Sequence, residues 1–366
     1  MNDKLNEKYM ELALTLALKG KGTVSPNPMV GAVIVKDGRI IGEGYHQRYG
    51  EGHAEVNAFK NASEDVKGAT MYVTLEPCSH HGKTPPCAEK IVEKKIKKVV
   101  IGTLDPNPLV SGRGVKILQD AGIEVESGIL NDKCIKINEI FMKYIVKKEP
   151  FVVMKSAMSL DGKIATSAGE SKWITGEESR RNVHVLRKEL SAIMVGVETV
   201  IKDDPELTCR IENGINPIRI VVDSTLRIPI DSKIIKTADK VKTIIATTKK
   251  AERNTIKILE DYGVQIIIAD TNKEGRVDLK DLMKKLGEAK IDSILLEGGA
   301  KLNFSALEQG IVDKVQIYIA PKIIGGQNAK GPVGGLGIDK LEQAFKLKEI
   351  TYKTVGEDIL IEGYIV

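Results

Sequence analysis

Cysteine is scarce in this 366-residue chain, with four in all, and aromatic residues make up only 4%, with a single tryptophan. That scarcity excludes a disulfide scaffold, because small secreted frameworks are dense in cysteine. Long apolar runs are missing too, and nothing approaches the roughly 20 residues that span a bilayer. The apolar stretch near the N-terminus covers only residues 12–18, follows Glu11 and precedes no A-x-A cleavage pattern. It reads as an amphipathic helix and not as a signal, so a cytoplasmic protein with no membrane partner is expected. A strong charge of one sign is also lacking: 55 Lys+Arg stand against 50 Asp+Glu, and neither half of the chain is strongly basic. The sequence therefore shows no electrostatic footprint for a phosphate backbone, and no nucleic-acid partner is expected.

What is present is a folded composition, 42% hydrophobic and 29% charged, of a length that predicts two domains at roughly 150 residues each. Strand-like and helical runs alternate from end to end, the mark of an α/β protein. The first part predicts a helix near 6–19, strands at 30–35 and 39–45, a helix from about 54, a strand at 70–76 and a helix from about 86. A strand at 98–103, a helix near 114–121, a strand at 123–128 and one long helix near 131–147 follow. Lys36-Asp37-Gly38 between the first two strands is a hairpin signal. The charged run ending in Pro150 predicts a junction, giving domains 1–147 and 148–366. Beyond it, near-continuous apolar runs at 151–157, 192–196, 218–223, 243–248, 264–269, 293–299, 314–320 and 358–366 read as strands covered on both faces.

The sharpest constellation is His53-Ala54-Glu55 followed by Glu76-Pro77-Cys78 and then Cys87. One imidazole and two thiolates give Zn²⁺ three protein ligands and leave a fourth position open for water, which is the catalytic pattern. Glu55, two residues beyond the ligand His53, can carry a proton from that water to a leaving nitrogen. This is deaminase chemistry. A packed histidine, a helix-surface glutamate and two buried thiols form the bland alternative, disfavoured because H-x-E and P-C occur together in a strand–helix context. His80 and His81 read as solvated loop residues, and Cys134 and Cys209 carry no functional signal.

Eight residues separate Cys78 from Cys87 where nucleobase deaminases usually have two. H-A-E-V-N-A and T-L-E-P-C-S-H-H-G-K-T-P-P-C closely resemble the deaminase domain of the bifunctional riboflavin biosynthesis family, which carries the same insertion. The resemblance continues through 25–35 and 105–114. It implies a cytidine-deaminase-like α/β/α domain acting on a diaminopyrimidinone that bears a phosphoribosylamino group. It also implies Asn27, His46, Asp105 and Asn107 as substrate contacts, with Lys83 of the inserted loop as a donor to the pyrimidine or its sugar phosphate. Turn chemistry is the plain alternative for Asp105 and Asn107.

After the junction the G-x-G-x-x-G fingerprint is absent, which argues against a Rossmann domain. M-K-S-A-M-S-L-D-G-K-I-A-T (154–166), G-E-S-K-W-I-T-G (169–176), V-G-V-E-T-V-I-K-D-D-P-E-L-T (195–208), 296–303 and 320–326 closely resemble the reductase domain of the same family. The resemblance implies a dihydrofolate-reductase-like α/β fold and NADPH as hydride donor. In the implied reaction the ribosylamine ring opens to an imine, and hydride converts the ribosyl group to a ribityl chain. Lys155 and Asp203 are expected to provide and orient the proton. Ser171, Arg187, Leu207, Arg210 and Glu297 match substrate positions, the two arginines suiting a phosphate. Ala157, Trp173, Thr199, Asp203 and Ser224 match cofactor positions; core packing is the alternative for Trp173. Gly298, Gly299, Ala300 and Lys301 place a glycine turn and a helix N-terminus where a phosphate can sit, Lys301 being a candidate for the 2′-phosphate. A nucleic-acid deaminase with an accessory domain and a zinc-stabilised binding scaffold are the rival readings, and a homo-oligomer is left open.

Overall fold

The computed structural model describes residues 2–81, 85–107 and 111–366, and the chain divides into two compact units, Met1–Lys148 and Glu149–Val366. The first unit runs α1 (Asn2–Leu18), β1 (Gly31–Lys36), β2 (Arg39–Tyr45), α2 (Ala54–Lys60), β3 (Thr70–Leu75) and α3 (Cys87–Glu93). It continues with β4 (Lys98–Thr103), α4 (Arg113–Asp120), β5 (Glu124–Ser127), α5 (Asn131–Ile137) and α6 (Glu139–Lys147). The five strands lie in the order β2-β1-β3-β4-β5, with β1 antiparallel to both neighbours and β3, β4 and β5 parallel.

Strand periodicity sorts the core into two layers. Ala32, Ile34, Met71, Val73, Val99 and Ile101 face one side and pack on Ala54 and Ala58 of α2, Ala88 and Ile91 of α3 and Leu118 of α4. Val33, Val35, Tyr72 and Val100 face the other, against Tyr9, Met10 and Ala13 of α1 and Cys134 of α5. The β1–β2 hairpin turns at Asp37 (φ 49°) and Gly38 (φ 75°), the left-handed pair that an Asp-Gly turn supplies. Gly44 lets β2 press onto α2, since a Cβ there would lie 2.3 Å from the Ala58 nitrogen and 2.4 Å from the Ala54 oxygen.

The long helix expected near 131–147 is two helices. Asn138 (φ −109°, ψ 21°) separates them, and its buried amide pairs with both backbone groups of Met29, accepting from the nitrogen at 2.8 Å and donating to the oxygen at 2.9 Å.

The second unit runs β6 (Phe151–Ser159), α7 (Glu177–Glu189), β7 (Ala192–Gly196), α8 (Val197–Asp203), β8 (Ile218–Val222), α9 (Lys233–Lys236), β9 (Thr243–Thr247) and α10 (Arg253–Asp261). It ends with β10 (Gln265–Ile268), α11 (Leu279–Glu288), β11 (Ser293–Leu296), α12 (Ala300–Glu308), β12 (Lys314–Ala320), β13 (Leu347–Val355) and β14 (Asp358–Ile365). The nine strands are ordered β10-β9-β8-β7-β11-β6-β12-β14-β13. All are parallel up to β12, and β14 and β13 close the sheet antiparallel. One face packs on Leu282, Met283 and Leu286 of α11 and Ala306 of α12, the other on Ile234 of α9 and Leu259 of α10.

Arg219 on β8 is fully buried. Its guanidinium donates to the Thr243 and Thr237 hydroxyls at 2.7 and 2.8 Å and to the carbonyls of Ile234, Thr237 and Val241 at 2.9–3.0 Å. Burial lowers it to about 10, so it stays charged at neutral pH. Arg219→Met should destabilise the chain by about 3 kcal/mol or more, because several buried acceptors lose their donor at once. Denaturant-unfolding midpoints measure it, and a loss within about 0.5 kcal/mol would show the carbonyls finding other donors.

Candidate active sites

The first site forms where three chain segments meet. His53 is the residue before α2, Cys78 lies on the loop leaving β3, and Cys87 opens α3. His53 Nδ1 stands 3.5 Å from Cys78 Sγ and 3.4 Å from Cys87 Sγ, and the three donor atoms lie within 4.8 Å of one another. Zinc–nitrogen and zinc–sulfur bonds of about 2.05 and 2.3 Å at a tetrahedral angle place N and S about 3.6 Å apart, so this triangle fits the ion. Cys78 and Cys87 share a hydrogen bond that drops Cys78 to about 4, while the same bond and burial push Cys87 up. Two further bonds close the neck between them, from the Cys87 nitrogen to Cys78 Sγ and from the Ala88 nitrogen to the Cys78 oxygen, both 3.2 Å.

Glu55, in the first turn of α2, is 3% exposed, and its carboxyl meets Cys87. Burial and the neighbouring Cys78 charge raise it to about 7. A carboxyl poised there exchanges protons readily in either direction at neutral pH.

In the second unit β11 ends at Leu296, paired with Met154 in the middle of β6 on one side and with Met194 near the end of β7 on the other. Glu297, just past β11, takes a bidentate pair from Arg187 of α7 at 3.0 and 3.1 Å, and Arg187 also donates to the Thr208 carbonyl at 3.0 Å. Lys155 on β6 faces this pair; burial lowers its ammonium and Arg187 adds to that, with Glu297 opposing. Burial alone would raise Glu297, but Arg187 and Lys155 outweigh it and hold the carboxylate ionised. An amine whose proton is loosened beside a fixed ion pair can donate it. Next to this group, Gly298 and Gly299 lead into α12. A Cβ at Gly299 would meet only Thr199 Oγ1, at 3.9 Å, whereas one at Gly298 would strike Asn303 Oδ1 at 2.6 Å. That Asn303 oxygen is buried and has no hydrogen-bond partner. An open glycine turn ahead of a helix N-terminus fits a dinucleotide phosphate.

Residues 150–361 match the RibD C-terminal domain, and residues 3–103 match the cytidine and deoxycytidylate deaminase zinc-binding region. The riboflavin biosynthesis protein RibD of Actinobacillus pleuropneumoniae is 53% identical over 98% of this chain and 95% of its own length. That of Aquifex aeolicus is 45% identical over 98% of both. The chain belongs to the RibD family. An Acinetobacter baumannii RibD structure superposes with a TM-score of 0.89 at 37% identity over the whole of both chains. A Thermotoga maritima diaminohydroxyphosphoribosylaminopyrimidine deaminase/5-amino-6-(5-phosphoribosylamino)uracil reductase does so with a TM-score of 0.86 at 39% identity, again over the whole of both. As a RibD, the chain is a bifunctional enzyme of riboflavin biosynthesis, a zinc-dependent deaminase joined to an NADPH-dependent reductase. The two layered folds described above are those of this family. No helix among the described residues is long and apolar enough to cross a membrane.

Of the RibD substrate contacts expected at the first site, His46 is 2% exposed, with Nδ1 against the Gly52 carbonyl and Nε2 against the Asn27 amide, both at 3.1 Å. Its ring sits edge-on to His53 with centroids 5.5 Å apart. Asn27 and His46 thus form a hydrogen-bonded pair beside the metal ligand. Asp105 Oδ1 accepts from the Asn107 nitrogen at 2.8 Å, so turn chemistry accounts for one oxygen of that carboxylate. Lys83 lies outside the described residues. Sequence reasoning missed Glu76, whose buried carboxylate accepts from the backbone nitrogens of Asp105, Gly112, Gly114 and Val115 at 2.9–3.3 Å. Two positions before Cys78, it moors Asp105 and residues 112–115 behind the loop that carries Cys78. Gly114 is needed there because a Cβ would lie 2.1 Å from the Pro77 oxygen.

Among the RibD positions of the second unit, Trp173 is 62% exposed, under the Arg180 guanidinium at 4.6 Å, so the core-packing alternative falls. Leu207 is 4% exposed, its side chain packed in the core with Val197 and Val200. Lys155 and Asp203, expected to act together on the proton, stand in different surroundings. Asp203 is exposed at the end of α8, and the charges bearing on Lys155 are Glu297 and Arg187. Arg187 gives two of its N–H donors to Glu297 and one to Thr208, while Arg210 is exposed, with Glu206 at 3.7 Å. Thr199 faces the Gly299 turn, and Ala300 and exposed Lys301 open α12. Ser224 ties loops together, its Oγ accepting from the Val277 nitrogen at 3.1 Å. Ala157 packs beside Val183 and Tyr318, and Ser171 is half-buried.

Proposed function

We propose that His53, Cys78 and Cys87 hold the zinc ion and that Glu55 moves the proton in the deamination of diaminohydroxyphosphoribosylaminopyrimidine. Zinc held there is the Lewis acid that activates water for attack on the pyrimidine carbon. Glu55 Oε takes the proton of the attacking water and delivers it to the departing nitrogen. The Asn27–His46 pair, Asp105 and Asn107 contact the substrate, and Lys83 is its donor from the inserted loop. In the second unit Lys155 Nζ supplies the proton that opens the ribosylamine ring, the Arg187–Glu297 pair holds Lys155 in place, and Arg210 and Ser171 bind the sugar phosphate. NADPH supplies the hydride. Trp173, Thr199, Ser224, Asp203, Ala157, the Gly298–Gly299 turn, Ala300 and Lys301 form its seat. The enzyme works in the cytoplasm, where its four free cysteines stay reduced.

The observation that carries the reading is the triangle of His53, Cys78 and Cys87 with the buried Glu55 against it. Incubated with the diaminopyrimidine substrate, the protein should release ammonia whether or not NADPH is present, and should form the ribityl product only when NADPH is added. Ribityl product formed without any ammonia release would reverse the order of the two steps.

A further inference from the structure

Three hydrogen bonds tie residues 208–210 to one face of α7. Arg187 Nη1 donates to the Thr208 carbonyl at 3.0 Å, Cys209 Sγ to the His184 carbonyl at 3.3 Å, and the Arg210 nitrogen to His184 Nδ1 at 3.2 Å. His184 and Arg187 are three residues apart, so both reach the loop from the same side of the helix. Toward its N-terminal end the loop is fixed by buried Leu207, and Cys209 donates its backbone nitrogen to Asn216 Oδ1 at 2.9 Å. Arg210 itself is exposed, and among the described residues its side chain has a loose partner in Glu206 at 3.7 Å. The direct hold on its backbone is the His184 ring.

We infer that His184 is a positioning residue of the reductase site, fixing the backbone of Arg210 so that its guanidinium is aimed at the substrate's phosphate. The inference rests on Arg210 being the phosphate-binding residue proposed above. The tether requires Nδ1 to be without a proton. The charges facing the imidazole are Arg187 on its own helix, Arg210 on the loop and Glu297 past β11; burial and the two cations lower its pKa against the opposing pull of Glu297 and a hydrogen bond to the Thr208 backbone. Acidification that protonates Nδ1 removes the acceptor and frees the loop.

The test is steady-state reduction of the deaminated substrate by the full chain at saturating NADPH. His184→Ala should raise KM up to about tenfold, the worth of one neutral hydrogen bond, with kcat unchanged. His184→Asn, whose Oδ1 stands where Nδ1 stood, should restore KM. It should also abolish the rise in KM expected of the native enzyme as the pH falls below the usual imidazole range. Arg210→Ala should raise KM, and adding His184→Ala to it should have no further effect. If Arg210→Ala leaves KM unchanged, the phosphate reading itself falls. If Arg210→Ala raises KM while His184→Ala does not, or does so equally in the Arg210→Ala background, only the tether is overturned.

Discussion

Replacing Glu55 by Gln should lower ammonia release from the diaminopyrimidine substrate by about two to four orders of magnitude while the chain still binds one zinc ion. Glutamine keeps the shape of the side chain and can donate to Cys87, so the 3%-exposed pocket around it stays filled. What it cannot do is accept a proton from water and pass it on. The metal ligands His53, Cys78 and Cys87 are untouched, so metal analysis of the variant should match the native protein. Reduction of pre-deaminated substrate should proceed at the native rate, since Glu55 belongs to the other unit. Native ammonia release from the variant would sink the proton-transfer role.

The second large effect is expected at Lys155. Lys155→Ala should slow NADPH-dependent reduction by about two to four orders of magnitude and leave deamination unchanged. Burial loosens the ammonium proton and Arg187 adds to that, while the ionised Glu297 beside it opposes them. Asp203→Asn should cost less, because Asp203 is exposed at the end of α8, whereas the charges that bear on Lys155 are Glu297 and Arg187. Equal losses from the two variants would return the acid role to Asp203. Chelating zinc should stop ammonia release and spare NADPH oxidation, because the one His/Cys/Asp/Glu metal cluster among the described residues lies in the first unit.

The first site was legible because its chemistry is written in short stretches: His53 and Glu55 share one helix start, and the Cys78–Cys87 loop closes on itself. The Asp37-Gly38 turn was legible for the same reason, since its backbone preference is local. What escaped depends on partners far along the chain. Asn138 is an unremarkable letter in a helical run, and only its pairing with Met29 shows why the helix stops there. Glu76 reads as part of a P-C motif until the four amides from residues 105–115 come to it. Leu207 and the Lys155–Glu297–Arg187 group are likewise set by tertiary packing. β13 left no trace as an apolar run because nearly all of its side chains are exposed, which removes the alternation that marks a half-buried strand.

The closed neck between Cys78 and Cys87 has an evolutionary consequence. Each ligand is fixed from outside the insertion, Cys78 by the backbone of residues 87 and 88 and Cys87 by the start of α3. Coordination therefore does not depend on what lies between them. Selection, or an engineer grafting a loop from a related deaminase, can vary the length and chemistry of the sequence between the two cysteines while the contacts that hold Cys78 and Cys87 are kept.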